Sequence, residues 1–367
     1  MVPFDFDART RLVFGPGSLN RLGEIARGLG FTRTLVVSDP GLTAAGYVDR
    51  AVELLRAEGV LAEAFHDFDS NPDTAMVDAG RRIAESLRID SLVGLGGGSS
   101  MDCAKGINFL LTNGGAMPDY WGWNKATKPL LPSIGVPTTS GTGSEAQSYA
   151  IISDAQTHVK MACGTPSAAF RTALLDPELA VSQPRAVRAI TGYDAISHAI
   201  ETFVTTKRNA MSECLSREAW RLLSQNFYRV LNHPADIESI GHMQLGAYFA
   251  GLAIENSMLG ATHACANPLT ANFGTTHGVA ISALLSHVVK WNSAVAGARY
   301  RELASDLPRL LQDLARAADL PVYVGSLDVP GDMLPQLADE ASQQWTGRFN
   351  PRPFDAKAAL EIYEWAF

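Results

Sequence analysis

Between Thr34 and Pro137 short apolar, β-branched runs alternate with stretches of helical period. Thr34–Val37, Ser91–Leu95 and Pro132–Val136 read as strands, with Ala62–Phe68 as a further candidate. Tyr47–Glu58, Asp73–Leu87 and a segment running from the glycines at 96–98 to about Leu111 read as helices. Strand and helix in alternation imply a mostly parallel sheet, because a parallel neighbour can be reached only through a crossover. After Gln183-Pro184 the strand signals nearly vanish. Helical stretches take over at Tyr193–Thr205, Met211–Leu231, Asp236–Glu255, Val279–Asn292, Ala296–Leu320 (with Pro308 as an interruption), Leu334–Thr346 and Asp355–Phe367. A chain of 367 residues is too long for one ordinary core. The pattern predicts an α/β domain over residues 1–180 and an all-α domain over 181–367.

In parallel sheets ligands collect at the carboxyl ends of the strands. Three turns fall there. Gly96-Gly97-Gly98-Ser99-Ser100 follows a buried strand and opens a helix. Glycines in that place let backbone amides approach a pyrophosphate, and the helix dipole favours the anion. The spacing is not G-x-G-x-x-G. Asp39 directly follows a strand. Its carboxylate could accept the ribose hydroxyls of an adenosine and would repel the 2′-phosphate of NADP, or it could simply cap a helix. Thr138, Thr139 and Thr142 line a second glycine-rich turn. Asp102 and Lys105 read locally as solvated helix charge, and Lys160, after a possible hairpin from Ala150, as surface.

Asp194 and His198 lie four residues apart in a proline-free helical stretch, so both side chains leave one face, one turn apart. Further ligands could come from His263 and His277, each among Gly, Ala and Thr. The other histidines, at 66, 158, 233, 242 and 287, have no partner at ligand spacing. One carboxylate and three imidazoles suit Fe²⁺, Zn²⁺ or Co²⁺, and the lack of thiolates disfavours a structural zinc site.

The net charge of −8 and the absence of a basic run argue against nucleic acid as partner. No stretch approaches the ~18 uninterrupted apolar residues of a membrane helix. The N-terminus places acids where a signal peptide needs basic residues. Cysteines 103, 163, 214 and 265 form no CxxC pair, which suits reduced thiols and a cytoplasmic location.

Taken together, several motifs in order resemble the iron-dependent (group III) alcohol dehydrogenases across nearly the whole chain. They are Phe14-Gly-Pro-Gly-Ser18, Gly96 to Lys105, Pro137 to Glu145, Asp176-Pro-Glu-Leu, Thr191 to Glu201, residues 262–278 and Asn350-Pro-Arg. The resemblance implies a Rossmann-like N-terminal domain and a helical C-terminal domain. It implies metal ligands Asp194, His198, His263 and His277, iron as the metal, and a homodimer or larger assembly. It also places NAD against Asp39, Asn71, Gly97, Gly98, Ser99, Asp102, Thr138, Thr139, Thr142 and Lys160. The activity implied is reversible hydride transfer between NAD(H) and a small alcohol/aldehyde pair. Relatives of the same architecture include maleylacetate reductases, glycerol dehydrogenases and dehydroquinate synthases. A nucleotide- or metal-binding protein without turnover is a further alternative.

One position departs from the family pattern. Where many members carry a second histidine, four residues after His263, this chain has Asn267. An amide cannot titrate, so it cannot relay a proton as imidazole does. Either Asn267 orients a substrate oxygen, with protons leaving through water or ribose hydroxyls, or the substrate differs from a simple alkanol.

Overall fold

The computed structural model describes residues 3–68 and 71–367. The chain divides into two compact units, one spanning residues 7–182 and one containing residues 183–367.

The first unit is built on a six-stranded sheet, ordered β1 (Arg11–Phe14), β9 (Thr172–Leu175), β6 (Ser133–Pro137), β4 (Ser91–Gly96), β2 (Arg33–Val37) and β3 (Leu61–Phe65). Every pairing in it is parallel. The connections carry α1 (Leu22–Gly28), α2 (Pro40–Ala44), α3 (Tyr47–Ala57), α4 (Thr74–Leu87) and α5 (Gly98–Asn113). A small second sheet joins β5 (Gly122–Trp123), β8 (Lys160–Gly164) and β7 (Tyr149–Ser153). Its β7–β8 pair is the hairpin expected after Ala150, antiparallel with Ser153 opposite Lys160.

Both faces of the main sheet are covered, as continuous apolar strands require. Successive side chains alternate between faces. Leu35, Val37 and Leu92 enter one core with Val77, Ala84, Cys103 and Ile107 from α4 and α5. Val36, Val93 and Leu95 enter the other with Leu22, Ile25, Val48 and Leu55 from α1 and α3. β2 is flanked by β3 on one side and β4 on the other, so the strand order reverses beside it. That is the switch point where the carboxyl ends of an open sheet leave a crevice. The turn expected at Asp39 is a short helix with Asp39 as its N-cap.

The second unit is helical: α6 (Arg185–Val204), α7 (Ala210–Asn232), α8 (Ile237–Asn256), α9 (Ala261–Phe273), α10 (His277–Leu303), α11 (Leu307–Ala317), α12 (Leu334–Ser342) and α13 (Ala356–Ala366). Three differences from the sequence reading have physical causes. α6 starts at Arg185, eight residues before the expected Tyr193, because Pro184 at the N-cap position is compatible with entry into a helix. α9 was not expected, since it contains Pro268 and is poor in large apolar residues. The break expected between Asn292 and Ala296 is absent. α10 runs through to Leu303, and the chain restarts at Leu307 with Asp306 capping Arg309 N–H and Pro308 in the first turn, where a missing N–H costs nothing. α10 is long and apolar enough to cross a membrane, but most of it is buried within the unit.

Candidate metal centre and nucleotide site

α6 carries Asp194, His198 and Glu201, separated by four and then three residues, on one helix face. α9 supplies His263 and α10 begins at His277. Asp194, His263 and His277 each offer one donor atom, all within 4.8 Å of one another. Asp194 Oδ1 lies 3.5 Å from His198 Nε2, 3.6 Å from His263 Nε2 and 3.9 Å from His277 Nε2. His198 Nε2 and His263 Nε2 are 3.1 Å apart.

These separations decide what the cluster can do. Among the described residues no hydrogen bond reaches the buried Asp194 Oδ1, because 3.5 Å and beyond is too long for one. A buried carboxylate oxygen with three imidazole nitrogens around it at that spacing is the donor set of a small divalent cation. The residues present therefore fit a metal. Burial alone would raise Asp194, yet the three imidazoles hold it well below the usual carboxylate range. Burial opposes charge on His263, but Glu201 and Asp194 on either side raise it to about 9.

Glu201 was not among the residues singled out from the sequence. Its Oε2 lies 2.5 Å from His263 Nδ1, and its Oε1 accepts the backbone N–H of Thr262 at 2.7 Å. The spacing of seven from Asp194, two helical turns on the same face, was the available signal. Asn267 is partly buried and donates from Nδ2 to Gln344 Oε1 at 3.0 Å.

In the α/β unit, Gly97 is the N-cap of α5 and offers no side chain of its own there. Gly96 has φ +145, and a Cβ on it would meet Ser100 Oγ at 2.2 Å. A Cβ on Gly97 would come within 3.3 Å of Thr139, and one on Gly98 within 2.6 Å of Thr142. The glycine turn after β4 and the threonine loop after β6 are thus packed directly on each other. Thr138 N–H donates to Gly96 O at 2.9 Å, and Thr142 Oγ1 accepts from Ser144 N–H at 3.2 Å. Asn71, at φ +61, donates its N–H to Ser99 Oγ at 3.1 Å, and Lys160 Nζ stands 3.5 Å from Asn71 Oδ1. Asp39 lies two residues past the end of β2, where its Oδ1 accepts Leu42 N–H at 3.1 Å. Its capping role is therefore realised, and its second carboxylate oxygen is not part of that bond.

The charges on α5 are not solvated as their local sequence suggested. Lys105 is 2% exposed. Its ammonium donates to Ser144 O (2.7 Å), Ser144 Oγ (3.1 Å), Gln147 O (2.8 Å) and Tyr149 O (2.8 Å), and lies over the Phe170 ring. Ser144 Oγ in turn donates to Asp102 Oδ1 at 2.7 Å. Burial pushes Asp102 up to about 6, against the opposing charge of Lys105. One buried cation thus ties α5 to the loop that carries the threonines.

Comparison with known proteins agrees along the chain. Residues 9–177 match the family model for iron-containing alcohol dehydrogenase, and residues 188–367 match the C-terminal model of the same family. The chain is 36% identical over 297 residues to alcohol dehydrogenase 4 of Schizosaccharomyces pombe, covering 80% of this chain and 70% of that protein. It is 31% identical over 306 residues to the NAD-dependent methanol dehydrogenase of Bacillus methanolicus, covering 83% and 80%. Among solved structures, a 1,3-propanediol oxidoreductase superposes with a TM-score of 0.96 at 28% identity, each chain fully covered.

Proposed function

The chain belongs to the iron-containing alcohol dehydrogenase family, a family of oxidoreductases, and on that premise we propose that it transfers hydride reversibly between NAD(H) and a small alcohol/aldehyde pair at a divalent metal, iron before zinc. The observation that carries this reading is the orphaned Asp194 oxygen ringed by three imidazole nitrogens. The metal would be held by Asp194, His198, His263 and His277. When bound, such an ion supplies Lewis-acid charge beside an alcohol or carbonyl oxygen, and the nicotinamide supplies the hydride chemistry.

This chain's own residues do the rest. Gly97, Gly98 and Ser99 present the first amides of α5 to a diphosphate, and the absence of side chains lets it approach. Thr138, Thr139 and Thr142 add hydroxyls from the packed loop. Asp39, just past β2 at the start of α2, offers its remaining carboxylate oxygen to ribose hydroxyls and disfavours a 2′-phosphate, so NAD is preferred to NADP. Asn71, Asp102 and Lys160 complete the polar wall: Asn71 is held in place by Ser99, and Asp102 by Ser144. Asn267, fixed by Gln344, holds an amide toward substrate rather than a titrating group.

The 1,3-propanediol, methanol and other alcohol relatives support a small hydroxylated substrate. The test uses anaerobically purified protein, loaded in turn with Fe²⁺ and Zn²⁺, against a panel of short alcohols, diols and aldehydes with NADH and NADPH. Metal-dependent NADH oxidation by at least one short aldehyde is expected. Equal turnover by metal-free protein, or none across the panel in either metal form, overturns the reading.

A further inference from the structure

Glu201 is 5% exposed and belongs to none of the ligand positions above. Both its oxygens are engaged in directional contacts, one to a ring nitrogen and one to a backbone amide. α9 has no capping side chain of its own, since its N-cap is Gly260. Its first amides are met instead from other elements, Thr262 N–H by Glu201 and Ala261 N–H by Asn350 Oδ1 at 3.3 Å. A Cβ on Gly260 would lie 3.0 Å from Asn350 Oδ1 and 3.1 Å from Glu201 Oε1, so the glycine clears space for both.

We propose that Glu201 is a positioning residue for the metal centre: it holds the proton of His263 on Nδ1 and so leaves the Nε2 lone pair directed at Asp194 and His198. The inference rests on the metal reading given above and names a residue that reading does not use. The 2.5 Å contact between Glu201 Oε2 and His263 Nδ1 needs one shared proton, and an imidazole holds a proton more tightly than a carboxyl group does, so that proton sits on Nδ1. In neutral imidazole the other nitrogen then carries the lone pair. The same carboxylate fixes the start of α9 through Thr262, so ring orientation and helix position are set together. A hydrogen-bonded carboxylate behind a ligating imidazole is a known way to orient the ring and raise its basicity.

Glutamine at 201 cannot reproduce this. If its carbonyl faces Thr262 N–H, its NH₂ faces Nδ1 and forces the proton to Nε2. If it is turned round, its NH₂ opposes the Thr262 N–H.

The experiment is Co²⁺ binding to wild type, Glu201→Gln and Glu201→Ala. The readouts are affinity by chelator competition, the visible ligand-field spectrum and the melting temperature of metal-free protein. Roughly 10–100-fold weaker Co²⁺ binding and an altered spectrum are expected in both variants. If Glu201 only capped α9, metal-free melting would fall while the folded protein kept wild-type affinity and spectrum, and the proposal would be overturned. Should either variant fail to fold, ¹⁵N-histidine spectra of Zn²⁺-loaded wild type decide: His263 protonated on Nδ1 supports the assignment and on Nε2 ends it. Wild type that binds no Co²⁺ overturns the metal reading and this inference with it. Wild-type-like binding by the variants overturns the inference alone.

Discussion

Gly98 and Thr142 come so close that a methyl group on Gly98 would lie 2.6 Å from Thr142 Cγ2. Two loops from different strands therefore share one contact, and neither can shift without the other. Gly98→Ala is expected to lower NADH affinity at least about tenfold, by forcing the loops apart by a fraction of an ångström. The double variant Gly98→Ala/Thr142→Ala, which removes the clashing atoms, should recover part of the loss. NADH fluorescence titration of both variants provides the comparison.

The buried ammonium of Lys105 satisfies three backbone carbonyls and a hydroxyl. Lys105→Met fits the volume but leaves those carbonyls without their donor. A loss of roughly 3 kcal/mol or more is expected, since unmade buried hydrogen bonds cost about 1–3 kcal/mol each. Denaturant titration measures it. A stability unchanged within about 1 kcal/mol would mean that water replaces the ammonium.

His263→Ala and His277→Ala each remove one nitrogen from the ring of donors around Asp194 Oδ1. Both variants are expected to purify with far below one metal per chain and to lose nearly all metal-dependent turnover. Elemental analysis beside the activity assay separates loss of metal from loss of chemistry.

Glu145 is buried, and that burial pushes its carboxyl from 4.5 up to about 7, with Lys105 opposing the rise. Its folded value is raised above the unfolded one, so the proton is bound more tightly in the folded protein. The stabilisation from that proton is fully present below about pH 4.5 and is lost as pH rises through about 7. Glu145→Gln, which stays neutral throughout, should match wild type near pH 4.5 and gain on it up to about pH 7. The gain is bounded at roughly 1.4 kcal/mol for each tenfold difference in proton affinity between the folded and unfolded chain. Parallel melting curves of the two proteins across that range test the sign. A difference that shrinks with rising pH would refute the assignment.

The parts of this architecture readable from sequence were those with a strong local period or strong local chemistry. β2 and β4 announced themselves through Val36–Val37 and Leu92–Val93, and α4 through its apolar stripe and Asp73 cap. Asp194 and His198 were visible because a spacing of four needs no tertiary information. α9 was hidden because Pro268 and a run of small residues mask a helix that is held by what packs on it rather than by its own propensity. β1 and β9 were hidden because four-residue strands are too short to show a period, and each is fixed by its register with the other. Lys105 looked like surface charge because its partners lie 39 to 44 residues away in the chain. Asn267 could be read as a departure from a pattern, but its partner Gln344 is 77 residues further on.

Asp194, His198 and Glu201 share a single helix, and this makes the centre sensitive to length rather than to composition. One residue inserted between Asp194 and Glu201 would turn everything beyond it by about 100°, a full step around the helix. The side chains between Asp194 and Glu201 are all buried and accept only replacements of similar size, whereas the count of residues within this seven-step interval accepts no change at all. One small side chain can replace another there, but the chain cannot gain or lose a single position without carrying one part of the centre out of reach of the rest.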